Sequence, residues 1–192
     1  RTHPRPHART HKSTTNTTRA DWMKSLNDVA GIARNAAAQA SALVAGTELE
    51  KKLMDATSNE PWGASGTMLS EIARFTFGYE DFRTTMAHVW RSATHKGTLW
   101  RVTYKTLNLL DYLIRHGSER VVEDARDHSR DLKLLLKFEY TDPEGKDQGV
   151  NVRERARLIL ELLNSEEALT AERDKARATR DKYASVSSED TK

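Results

Sequence analysis

Between Arg91 and Lys105 the sequence places Arg91, His95, Lys96, Arg101 and Lys105, and no acidic residue. Such a run is a local source of positive potential suited to an anionic headgroup, although a solvated loop and helix surface would use the same residues. Other chemistry is poorly supplied. There is no cysteine, which excludes a disulfide framework, a thiolate zinc site and a cysteine nucleophile. His3, His7 and His11 recur at the spacing that would align metal ligands on a helix, but Pro4 and Pro6 prevent a helix there. His88, His95, His116 and His128 fall at no metal-binding interval on one helix face, and no pair of groups is spaced for acid and base work. Gly145-Lys146-Asp147 lacks the hydroxyl residue, the earlier glycine and the preceding strand of a phosphate loop. The expectation is a binding protein, not an enzyme, with no catalytic residue, metal site or cofactor.

The 192 residues carry a net charge of +3 and a pI near 9.1, which raises the question of nucleic acid. The charge is unevenly placed: Arg1, Arg5, Arg9, Lys12 and Arg19 face Asp21 alone within residues 1–21, so the body is close to neutral. A broad basic face for nucleic acid is not expected. No apolar run approaches the roughly 20 residues that span a bilayer, and no segment resembles a secretory signal. Together with the missing cysteines, this predicts a monomeric cytoplasmic domain whose membrane contact is peripheral. A first residue of Arg1 points to a fragment or a processed product.

The elements that must position the cations are helical. Residues 1–21, rich in Thr, His, Arg and Pro, are predicted to be a disordered basic tail. In 22–45, Trp22, Leu26, Val29, Ala33, Ala36, Ala37, Ala40 and Val44 share one face of an amphipathic helix whose bulky residues sit at its first end. Thr47 and Glu50 form a capping box that opens a short helix through Leu49, Leu53 and Met54, ended by Ser58–Gly63. Helical patterns follow over 66–76, 80–95, 98–115, 118–137, 150–163 and 165–184, and residues 186–192 begin a disordered tail. Only Phe138-Glu139-Tyr140 shows period two. The fold class is therefore all-α: a right-handed superhelix of about eight short helices over 46–185. Trp62, Trp90, Trp100 and Tyr112 are predicted to be mostly buried, and Phe75, Phe77 and Phe82 to pack in the core. Glu119, Glu123, Asp124 and Asp127, interleaved with Arg120, Arg126 and Arg130, read as a solvated surface of i, i+4 pairs.

Four blocks of sequence, in order, resemble the epsin N-terminal homology (ENTH) family. They are Ala56-Thr57-Ser58-Asn59-Glu60-Pro61-Trp62-Gly63, Trp100-Arg101-Val102-Thr103-Tyr104-Lys105, Tyr112 through Val121, and Gly145 through Arg153. The ending Tyr183 through Ser188 is similar to the epsin-related branch that works with clathrin at the trans-Golgi network and endosomes. The resemblance implies a phosphoinositide-binding trafficking adaptor, peripheral on the plasma membrane, trans-Golgi network, endosomes or clathrin-coated vesicles. It implies recruitment of clathrin and adaptors through a further C-terminal tail. In some members of that branch it also implies the grip of a SNARE helical bundle, an alternative role with weak lipid binding.

By the same resemblance, Asn59, Arg101 and Lys105 match headgroup positions of the family, whereas Met54, Ser92, Thr98 and Val102 stand where it has basic residues. Lys24, Arg34, Arg91 and Lys96 are candidates to complete the site. Trp22, Met23, Leu26 and Val29 are the residues expected to enter the membrane.

Overall fold

The computed structural model describes residues 47–189. Eight α-helices occur among them: α1 (Glu48–Ala56), α2 (Gly66–Phe75), α3 (Tyr79–Ser92), α4 (Trp100–His116), α5 (Glu119–Asp127), α6 (Ser129–Leu135), α7 (Gly149–Asn164) and α8 (Glu166–Glu189). A single 3₁₀ turn, Gly97–Leu99, precedes α4. The only β-type pairing among the described residues is one bridge, Thr141 to Asp147. The period-two stretch at 138–140 is thus a connection and not a strand. None of the described helices is long and apolar enough to cross a membrane.

The capping box forms as the sequence predicts. Thr47 Oγ1 accepts from the Glu50 amide at 3.1 Å, and a Glu50 carboxylate oxygen accepts from the Thr47 amide at 2.7 Å. Removing it with Thr47→Ala is expected to cost about 1 kcal/mol, read as a lower urea midpoint with an unchanged slope. An unchanged midpoint would mean that packing of α1 alone holds this helix end.

The architecture follows from α4. Leu107, Leu109, Leu110, Leu113 and Ile114 are all almost completely buried along one broad face, and the remaining residues of α4 are at least half-buried, so that none is fully exposed. Accordingly α4 is the central element, packed against α1, α2, α3, α5, α7 and α8. The other helices bury one face each around it, Leu49 and Leu53 from α1, Ile72 from α2, Val89 from α3 and Ile159 from α7 among them. Successive helices packed about this axis make the expected all-helical superhelix.

Four expectations are corrected. Trp62 is 66% exposed: the Pro61-Trp62-Gly63 turn runs over the surface between α1 and α2, and none of the described helices covers the indole. Phe77 is also exposed, because α2 ends at Phe75 and leaves Phe77 in the turn before α3. Trp100 is buried, and Trp90, Tyr112, Phe75 and Phe82 are partly buried against the core. The predicted 118–137 helix is two helices, separated at His128, whose backbone leaves helical values (φ −89°, ψ 15°). The His128 ring stacks on Trp90 at 4.2 Å, and the Trp90 indole N–H donates to Asp124 at 2.6 Å. Asp124 thus ties α5 to α3, and Arg126 pairs with Glu166 of α8 at 2.5 Å. Part of the acidic stripe serves tertiary contacts instead of i, i+4 pairs.

Candidate functional site

The last turn of α1, the loop that follows it, the end of α3 and the start of α4 meet at one end of the domain. Thr57 donates its hydroxyl proton to the Leu53 carbonyl at 2.8 Å. Its oxygen therefore accepts from His88 Nε2, 2.9 Å away, which leaves His88 Nδ1 as acceptor for the Arg91 guanidinium at 3.2 Å. Ser92 Oγ lies 3.3 Å from the same Nε2. One residue beyond Thr57, Ser58 Oγ accepts from Lys105 Nζ at 3.3 Å. A chain of polar contacts thus links α3, the loop and α4.

Around this chain stand the residues that the sequence singled out. Lys105 is only 7% exposed, and Asn59 is exposed next to Ser58. Arg101 lies one turn before Lys105, half-buried, its guanidinium 4.9 Å from the Trp100 ring centre. Burial pushes the Lys105 ammonium below the ordinary lysine value; Glu60 raises it and Arg101 lowers it further, which sets all three charges within electrostatic reach. Arg91 is exposed and joins the group through His88. Lys96 lines a separate hollow with Trp90, His128 and Leu134. Met54 is exposed, Ser92 is buried and Thr98 is exposed; none of them adds a cation. Lys24, Arg34, Trp22, Met23, Leu26 and Val29 lie outside the described residues.

Two supports hold the start of α4. Gly97 adopts φ +60°, a left-handed turn that glycine enters without steric cost, and Thr103 donates to the His95 carbonyl at 2.7 Å, pinning the connection from α3. Composition alone could not show that Lys105 is buried. The His88–Thr57 pair, 31 residues apart, escaped the sequence reading because only packing brings the two together.

His88 makes the site sensitive to pH. Burial, and then the positive charges of Arg91 and His95, hold its pKa below the ordinary 6.5. Between its folded-state pKa and 6.5 the unfolded chain binds more protons than the folded one, so stability is intact above 6.5 and is lost as pH falls below it. The melting temperature is expected to drop between about pH 7 and pH 5, and to drop less in His88→Asn. Equal drops in the two proteins would remove His88 as the cause.

A family model of the ENTH domain matches residues 46–169. The chain belongs to the ENTH domain family. Human Clathrin interactor 1 is 44% identical over 144 residues, 74% of this chain and 23% of that protein. The human epsinR ENTH domain superposes with a TM-score of 0.66 at 43% identity, over 69% of this chain and 98% of that one. The ENTH domain from epsin-2, whose structure is of a complex with phosphatidylinositol 4,5-bisphosphate, superposes with a TM-score of 0.67 at 32% identity, over 68% and 92%. The greater identity to the epsinR domain accords with the epsin-related branch. The chain spans well under half the length of the curated relatives that it matches. Among the described residues, no group of three or more His, Asp or Glu side chains could hold a metal ion.

Proposed function

We propose that this ENTH domain is a phosphoinositide-binding membrane-trafficking adaptor module, and that Asn59, Arg101 and Lys105, with Arg91 at the rim, receive the lipid headgroup. The observation that carries this reading is Lys105. Burying an ammonium costs free energy unless a partner of opposite charge compensates it. Its hydrogen-bond partner is the neutral Ser58 hydroxyl, and its nearest neighbours in charge are Glu60 and Arg101. Glu60 is exposed and offsets the cost of burial only in part, and a cation so held beside a second one, Arg101, suits a phosphate arriving from outside. The epsin-2 ENTH domain, of the same fold, takes such a lipid. The exposed Trp62 indole, three residues from Asn59, is suited to the apolar side of the same bilayer boundary. Recruitment of clathrin machinery at the plasma membrane, trans-Golgi network or endosomes belongs to the same proposal; it is supported by the likeness to a clathrin interactor.

The cation count sets the headgroup. A bisphosphate presents about twice the ring charge of a monophosphate and needs several Arg or Lys donors around both groups. Arg101 and Lys105 suit one phosphate and Arg91, exposed and bonded to His88, stands only at the rim, so phosphatidylinositol monophosphates are expected to bind at least as well as the 4,5-bisphosphate, and binding is expected to weaken as salt rises. Co-sedimentation with vesicles of each composition tests both statements. Equal sedimentation with and without phosphoinositide would overturn the function. A bisphosphate preference above about tenfold would instead mean that further cations such as Lys24, Arg34 and Lys96 complete the pocket.

A further inference from the structure

At the opposite end of α4, about 20 Å along its axis from Arg101, a second cationic hollow of about 460 Å³ opens between α4, α5 and α8. Arg115, Arg120, Arg173, Arg177 and Arg180 line it, with His116 and Ser118. Two of these arginines spend their hydrogen bonds on carbonyl groups. Arg173 donates to Ile114 and Gly117, and Arg120 donates to Thr76 and Phe77 while lying over the Phe82 ring at 5.0 Å. Carbonyl oxygens fix these guanidinium groups without neutralising them. Arg115 is engaged by Asp111 and Glu172, and among the described residues Arg177 and Arg180 meet exposed acids beside them on α8, Asp174 at 3.3 Å and Asp181 at 4.0 Å. Among the described residues, Glu119 is the one carboxylate lining the hollow. His116 reports the resulting field: burial, and then Arg115, Arg180 and Arg173, hold its imidazole below the ordinary value.

A second feature is independent of the arginines. Ser118 is 6% exposed and its hydroxyl has no hydrogen-bond partner among the described residues, although it occupies the N-cap of α5, where such an oxygen ordinarily caps the helix. Its own amide is taken by Thr76 Oγ1 at 2.9 Å. An orphaned buried hydroxyl is costly, and here it stands at a helix N-terminus ringed by guanidinium groups.

We propose that this hollow is a second anion site that takes a phosphoryl group, with Arg120, Arg173, Arg177 and Arg180 supplying charge and Ser118 donating its free O–H. Planar guanidinium forks around a helix N-terminus match phosphoryl oxygens better than a lone carboxylate does. The phosphoryl group belongs either to a soluble phosphorylated molecule or to a second lipid headgroup.

The whole chain carrying Arg101→Glu and Lys105→Gln, which disable the first site, is the protein to titrate; this proposal and the first site then fail separately. With inositol hexakisphosphate as probe, the His116 ring resonances are expected to move and the His116 pKa to rise. Arg177→Gln with Arg180→Gln is expected to weaken calorimetric affinity about tenfold. Ser118→Ala is expected to weaken it about threefold without lowering the melting temperature, because the hydroxyl has no partner to lose. Repeating the titration with vesicles containing phosphatidylinositol 4,5-bisphosphate assigns the source. Ring movement with vesicles identifies a second headgroup, and movement with the soluble probe alone identifies a soluble phosphate. No ring movement with either probe overturns the proposal, as does an affinity that survives both the arginine and the Ser118 substitutions.

Discussion

Vesicle binding by the Arg101→Glu, Lys105→Gln variant is expected to fall about a hundredfold, with helicity by circular dichroism unchanged. Each substitution removes a charge-assisted contact worth roughly 1.5–3 kcal/mol, and the new carboxylate adds repulsion of the headgroup. Glutamine is the better choice at position 105 because the side chain is buried, where a reversed charge would test folding instead of binding. The single change Lys105→Met separates the two further. It removes a buried ammonium from beside Arg101, so the domain is expected to melt no lower than wild type while losing at least about tenfold in vesicle affinity. A variant that lost stability and kept affinity would identify Lys105 as a structural residue bonded to Ser58, and the headgroup assignment would fail.

What could be read ahead of the structure was whatever local spacing determines. The capping box at Thr47 and Glu50 and the helical pattern over 98–115 are set within a few residues, and the structure has them. The misreadings share one physical cause: exposure is a tertiary quantity. Trp62 reads as a residue clamped between Pro61 and Gly63, yet it lies on the surface because none of the described helices reaches over that turn. Lys105 has the opposite history, a charged residue buried on a helix that has no fully exposed side, where periodicity says little about its facing. His128, where 118–137 divides in two, stacks on Trp90, a partner 38 residues away that no local rule supplies. The arginine hollow is less legible still. Arg120 reads as part of a solvated stripe and Arg173 as part of a charged helix, and only the packing of α8 beside the end of α4 brings them together.

The second large effect is expected at the other candidate contact with the bilayer, Trp22 through Val29. These residues lie outside those described. On a helix, Trp22, Leu26 and Val29 fall on one face at spacings of four and three, with Met23 adjoining, and the alanines that follow bury little surface. Most of the membrane affinity of the segment must therefore come from its first two turns. Moving one large apolar side chain from water into the headgroup boundary is worth about 1.5–3 kcal/mol, so losing two predicts a fall of well over tenfold. A tenfold loss of vesicle binding by Trp22→Ser with Leu26→Ser is the conservative expectation, because the interface is only partly apolar. Since the Arg101 and Lys105 contacts are electrostatic, the serine variant should bind with a steeper dependence on salt than wild type, and the charge variant with a shallower one. Unchanged binding in the serine variant would mean that Trp22 and Leu26 pack against protein, and the headgroup site would then carry the membrane affinity without them.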